Sequence, residues 1–297
     1  MTGAERGFLL LTAHLGNPAR KPLTVAQFRE LSECVKRMPL REIDRELRAD
    51  DFLSVGYSQT FARHLVDLLQ EEQLLEYYLL QAKKADCHPI TRATDGYPTE
   101  VRHRLGMDSP GTLWAKGDIS FLQMPKISLV GSRDLQSDNA AFAREVGRQA
   151  ALQGFVLVSG NARGADQLAQ NACLKAGGRV ISVVADSLAG HNIRENLLYL
   201  SENGFDEPFS PQRALSRNRV IHALGSPVFV AQARPWQGGT WDGTEKNLRF
   251  GWSPVCCYDD GSTAQQLLTD MGAEAITIQD LRDLASLRRR EKSLFDQ

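Results

Sequence analysis

The chain has 297 residues, 42% of them hydrophobic and 24% charged, with a formal net charge of -1. That balance excludes a disordered chain and gives enough apolar residues for a buried core in one large and one small domain. It also excludes a global basic field, so any contact with nucleic acid must come from a local patch.

No apolar run approaches the roughly 20 residues of a membrane-spanning helix. The N-terminal Phe-Leu-Leu-Leu run is too short for a secretion signal. The five cysteines, Cys34, Cys87, Cys173, Cys256 and Cys257, show no C-x-x-C spacing and read as reduced thiols of a cytoplasmic protein.

In chain order, residues 1–85 read as a small helical domain. LTVAQFRELSECVKRM places Val25, Phe28, Leu31, Cys34 and Val35 on one face. Thr24 is its expected cap, with Gln27 three residues on. FARHLVDLLQEEQLLEYYLLQAKKA repeats the pattern. Residues 86–125 change texture. Pro89, Pro98 and Pro110 and the turn pairs Asp95-Gly96 and Pro110-Gly111 predict two short strands around a one-turn segment.

From 126 the chain alternates. Strand KISLV precedes a helix over 138–153, FVLVS a helix over 164–176, and RVISVV a loop and a helix over 193–203. Helices over 213–224, 243–250 and 263–271 precede PVFVA, PVCCY and AITI, and a last helix follows. The tail LRRREKSLFDQ reads as a solvated helix end. This alternation predicts an α/β fold, a Rossmann-like doubly wound, mostly parallel sheet over 86–297 with 86–125 as its lead-in.

Such sheets bind ligands outside the carboxyl ends of their strands. Gly131, Ser132 and Arg133 follow the first strand. Ser159, Gly160, Arg163 and Gly164 follow the second, in SGNARGAD. Arg217, Asn218 and Arg219 fall at a helix start, and Gly238, Gly239 and Thr240 in the turn after PVFVA. Glycines let backbone approach a ligand, helix N-termini favour anions, and arginine forks suit phosphate. Together they predict one phosphate-binding crevice. Asp166 is expected to be structural, tying loop N–H groups.

Neither G-x-G-x-x-G nor a P-loop is present. The six histidines lack metal-ligand spacing and no G-x-S-x-G elbow exists, so no catalytic residue, metal or cofactor is assigned. His222 reads as a packed core histidine. Trp236 and Trp241 flank the Gly-Gly-Thr turn and read either as base-stacking rings or as a lid on the core.

VGSR, SGNARGAD and RNRVIHALG, in that order, resemble the bacterial DNA-processing protein A (DprA, Smf) family. The lead-in ITRATDGYPTEVRHRL also resembles that family, and the likeness covers about residues 50–280. It implies a Rossmann-like domain that binds single-stranded DNA without base specificity and without cutting it. It also implies a homodimer that hands the strand to RecA in natural transformation. In that family the arginine of the Gly-Ser-Arg turn and the basic residue of the second loop meet the DNA backbone, here Arg133 and Arg163, and Arg217, Asn218 and Arg219 match a further motif. Asn161, Ala165 and GGTWDGTEKN depart from the family pattern, and no winged helix is read after residue 280. Those departures leave open a role in defence against foreign DNA. Two other readings stand beside this one. One is a nucleoside 5'-monophosphate hydrolase using Gly238-Gly239-Thr240 and Glu245. The other is a sensor of a nucleotide-derived signal.

Overall fold

Thr2 opens the first helix, α1 (Gly3–Thr12). Its hydroxyl accepts from the Glu5 amide at 3.3 Å and its own amide donates to the Glu5 carboxylate at 2.6 Å, a reciprocal cap that satisfies two free N–H groups. The computed structural model describes residues 1–36, 46–202 and 204–289. The expected Thr24 cap forms in the same way on α2 (Val25–Lys36), where Gln27 returns a bond to the Thr24 amide at 2.9 Å. The last two residues read as helical there, 37 and 38, lie outside the described residues. Phe28 and Leu31 are buried and Val35 packs against them, whereas Val25, in the first turn, is exposed. α3 (Ala49–Leu53) and α4 (Gln59–Leu69) complete that cluster through Phe52, Leu65 and Leu68.

α1 also faces a second core, which it shares with α5 (Glu72–Lys84). Leu9, Leu10, Leu75, Tyr78 and Ala82 share one core with Trp114 and the central sheet. The Tyr78 ring meets Trp114 edge-on at 5.3 Å and Phe205 at 4.8 Å, and its hydroxyl donates to Asp206. The domain boundary expected at residue 85 therefore cuts through a shared core. Leu9 and Leu10 of α1 and the apolar face of α5 are part of the sheet's packing, while Phe8 and Leu11 of α1 pack on the Phe28 cluster, with the Phe8 and Phe28 ring centroids 5.3 Å apart.

The lead-in supplies β1 (His88–Thr91), α6 (Thr99–Leu105) and β2 (Thr112–Lys116). Then come β3 (Lys126–Val130), α7 (Ser137–Leu152), β4 (Val156–Ser159), α8 (Ala165–Lys175), β5 (Arg179–Val183), β6 (Leu197–Ser201) and α9 (Pro211–Leu224). The chain continues through β7 (Val228–Val230), α10 (Gly238–Phe250), β8 (Val255–Tyr258), α11 (Thr263–Asp270), β9 (Glu274–Ile276) and α12 (Leu284–Arg289). One sheet runs β1-β2-β6-β5-β4-β3-β7-β8-β9. β1 and β2 join antiparallel and the rest are parallel. The run β5-β4-β3-β7-β8-β9 is the doubly wound order, with its switch point between β3 and β7.

Residues 193–203, expected to be helical, instead contain β6. Leu197 to Ser201 are all buried between β2 and β5. A continuous apolar run covered on both faces carries no period that separates strand from helix. The tail reading applies from residue 290 to residues outside those described, but Leu284 and Leu287 of α12 are buried.

Strand side chains alternate between two layers. Ile127 and Leu129 face α7 and α8, while Val130 faces the layer of α9 and α10. α7 and α8 touch so closely that a Cβ at Gly147 would sit 2.0 Å from the Ala169 carbonyl oxygen. Among the described residues no helix is long and apolar enough to cross a membrane.

Candidate nucleic-acid interface

The switch point opens a cleft of about 620 Å³ outside the carboxyl ends of β3 and β7. Its walls are the loop after β3, the loop after β4, the first half of α9 and the loop after β7. Asp166 in the first turn of α8 and Gly238, Gly239 and Thr240 in the first turn of α10 line it, so the positive dipole ends of two helices lie beside one cavity.

The loops are interlocked. At Gly164, with φ +91°, a Cβ would lie 2.4 Å from the Arg133 carbonyl oxygen, and at Gly131 it would lie 2.5 Å from the Ala165 Cβ. Any side chain at either position would force the first two loops apart. The Ala165 amide donates to the Ser132 carbonyl at 3.2 Å, and the Ser132 amide donates to the Gln232 carbonyl at 2.9 Å. The Ser132 hydroxyl also donates to that carbonyl, at 3.2 Å. Ser132 thus joins the loops that flank the switch point.

Asp166 and Arg217 form the floor. The Asp166 carboxylate is buried and accepts from the Ala162 amide at 3.1 Å, the tie expected from the sequence. Burial raises its pKa, and the Arg217 charge opposes that rise. Burial in turn lowers the Arg217 pKa against the pull of Asp166. The Arg217 Nη1 donates to the Val183 carbonyl at 2.8 Å and to the Gly160 carbonyl. Gly160 leaves room for it: a Cβ there would lie 2.9 Å from the guanidinium and 2.8 Å from the Asp166 carboxylate. Arg217 lines the cleft but clamps the ends of β4 and β5. Ser159 is buried beneath it.

Arg133 is different. It lines the cleft, is exposed, and has no hydrogen bond or ion pair among the described residues. Arg163 stands exposed at the rim and donates to Asp134 at 3.2 Å. Asn218 donates to the Gly239 carbonyl at 2.8 Å and fixes the start of α10, whose Gly239 and Thr240 also line the cavity.

Arg219 does not join them. It is two residues on from Arg217 in α9, on the side toward the lead-in, where it donates to the Asp108 carbonyl and pairs with the Glu202 side chain at 2.7 Å. Residues two apart on a helix point to nearly opposite sides, so an Arg-Asn-Arg run cannot deliver both arginines to one cavity.

The sequence reading passed over Arg234, Phe209 and Leu215. Arg234 lines the cleft, is 59% exposed and lies 3.7 Å from the second oxygen of Asp134. Its signal was present, since it follows β7 much as Arg133 follows β3. Phe209 and Leu215 line the α9 side and are exposed; an isolated apolar residue in a loop or helix gives no such signal. The two tryptophans divide the expected roles: Trp241 is buried and Trp236 is 74% exposed. Glu245 is exposed on α10 and does not line the cleft. His222 is fully buried, with Nδ1 3.1 Å from the Asn247 amide nitrogen.

A doubly wound sheet that gathers glycine-rich strand-end loops, helix N-termini and exposed arginines at its switch point is a Rossmann-like domain. The chain belongs to the DNA recombination-mediator protein A family, whose model matches residues 88–286. It is 29% identical to the DNA processing protein DprA of Bacillus subtilis over 183 residues, covering 57% of this chain and 62% of that one. To the DprA of Streptococcus pneumoniae it is 33% identical over 158 residues, covering 48% and 54%. The matches thus span between half and two thirds of these curated relatives. The solved structure of the pneumococcal DprA superposes with a TM-score of 0.72 at 24% identity, covering 96% of this chain and 98% of that one. A Helicobacter pylori DNA processing protein A, described for its single-stranded DNA binding mode, superposes with a TM-score of 0.57 at 24% identity. It covers 69% of this chain and 96% of that chain.

Proposed function

We propose that the cleft holds the backbone of single-stranded DNA and that the chain is a strand-binding protein and not a nuclease. The observation that carries this reading is Arg133, an arginine free of partners among the described residues that lines a cleft of glycine-rich strand-end loops. A phosphate there would accept a two-pronged bond. Arg163 and Arg234 flank it and would meet neighbouring phosphates. Phe209 and Leu215 offer apolar surface for bases on the α9 side.

Family membership supports this reading, and so does the single-stranded DNA binding described for the Helicobacter pylori relative. In this reading the chain acts in the cytoplasm as a homodimer, protects the strand during uptake or recombination and passes it to RecA. Arg133 and its two flanking arginines would neutralise about three phosphates, giving a salt slope near -2 for single strands.

The test is a fluorescence-anisotropy titration of labelled oligo-dT, with duplex DNA and free nucleoside monophosphates as competitors. Oligo-dT should bind and resist both competitors. Tight binding of a mononucleotide with no uptake of oligo-dT would support the nucleotide-enzyme or nucleotide-sensor reading instead.

A further inference from the structure

Trp236 is held in a conformation that its residue type disfavours. Its φ is +57°, in the left-handed region that suits glycine or asparagine. It stands third in the turn Arg234-Pro235-Trp236-Gln237, closed by a bond from the Gln237 amide to the Arg234 carbonyl at 3.2 Å and by an isolated bridge between the same residues. A proline in the second place cannot take positive φ, so the turn is of type II, which demands positive φ at its third place. An indole there carries strain that a glycine would relieve, and such strain gathers at functional sites.

The indole gains little burial in return. It is 74% exposed, far more than Trp241 at 4% or Trp114 at 0%. One face leans on Trp241, with ring centroids 5.9 Å apart and the planes tilted by 52°. Trp241 is seated in the core, so it supports the exposed ring from beneath. On either side in sequence, Arg234 and Gln237 line the cleft.

We infer that Trp236 is a stacking platform for one base of the bound strand, next to the phosphate held by Arg234. This rests on the reading of the cleft as a single-strand site. The ring already rests on Trp241 before the strand arrives, which lowers the cost of ordering it on binding. Stacking is tolerant of base identity because every base has a π-face.

The experiment compares labelled oligo-dT with an abasic strand of equal length, against the full chain and its Trp236→Ala, Trp236→Phe and Trp236→Gly variants. Trp236→Ala should weaken oligo-dT binding by about tenfold, within the range of one stacked base. It should leave abasic binding and the salt slope unchanged. Trp236→Phe should keep most of the affinity. Trp236→Gly should bind as Trp236→Ala does and melt at the same or a higher temperature, because it removes the strain with the ring. Trp236→Ala binding oligo-dT like wild type, or losing abasic strand equally, would overturn the stacking role while leaving the cleft reading intact. A wild-type chain that binds neither strand would overturn both.

Discussion

Arg163 and Asp134 meet at 3.2 Å across two neighbouring strand-end loops, and Arg234 approaches the other oxygen of the same carboxylate at 3.7 Å. Asp134 thus holds both arginines at the rim of the cleft where a phosphate would otherwise sit. A bound backbone must displace it or lie beside it. Asp134→Asn should tighten single-strand binding by roughly three- to fivefold at low salt, a modest effect because the pair is exposed. The gain should shrink as salt rises. Weaker binding on neutralising Asp134 would show that the carboxylate instead positions the arginines.

Arg219 separates stability from binding. Its guanidinium pairs with Glu202, whose side chain is only 4% exposed. Arg219→Ala leaves that carboxylate buried without its cation and should cost about 3 kcal/mol of stability. Oligo-dT affinity of the folded variant should be unchanged. Urea unfolding and anisotropy on one preparation check both halves.

The shared core of α1 and α5 gives the third expectation. Removing residues 1–80 strips Leu9, Leu10, Leu75 and Tyr78 from Trp114 and Phe205, so the remainder should lose its cooperative melting transition. Tyr78→Ala alone should destabilise by about 3 kcal/mol, as large-to-small changes in a packed core do. A truncated chain that melts as sharply as the whole would return the boundary to residue 85.

His222 makes the fold acid-sensitive. Burial lowers its pKa from 6.5 to about 3. Well above pH 6.5 neither the folded nor the unfolded form carries the proton, and the residue contributes no pH dependence. Below that pH the unfolded chain takes up the proton and the folded one does not, so stability falls until the pH reaches the folded pKa. Between pH 7.5 and 5 the loss should be about 2 kcal/mol. His222→Gln, which cannot take the proton, should flatten that part of the urea-unfolding profile.

The α/β alternation was legible because its strands are short apolar runs between longer amphipathic helices, and the cleft was legible because strand ends carry the informative residues. Gly131, Arg133, Gly160 and Gly164 all stand out on those grounds. β6 was not legible, since Leu197 to Ser201 are covered on both faces and leave no polar positions to mark a period. Arg217 and Arg219 could not be sorted by type. Only the carbonyls of Gly160 and Val183, and the carboxylate of Glu202, show that their guanidinium groups hold the fold together. The core that α5 shares with Trp114 was not legible for a related reason: composition records that α5 has an apolar face and not what that face covers.

Arg133 carries the central claim, and the measurement that tests it is the affinity of Arg133→Ala for labelled oligo-dT, read beside its melting temperature. A charge-assisted contact to phosphate is worth about 1.5–3 kcal/mol. The variant should therefore bind about ten- to a hundredfold more weakly, with an unchanged melting temperature because the side chain makes no bond within the described protein. Arg133→Lys should recover only part of the loss, since an ammonium cannot form the two-pronged contact. An Arg133→Ala chain that binds oligo-dT as tightly as wild type would contradict the account.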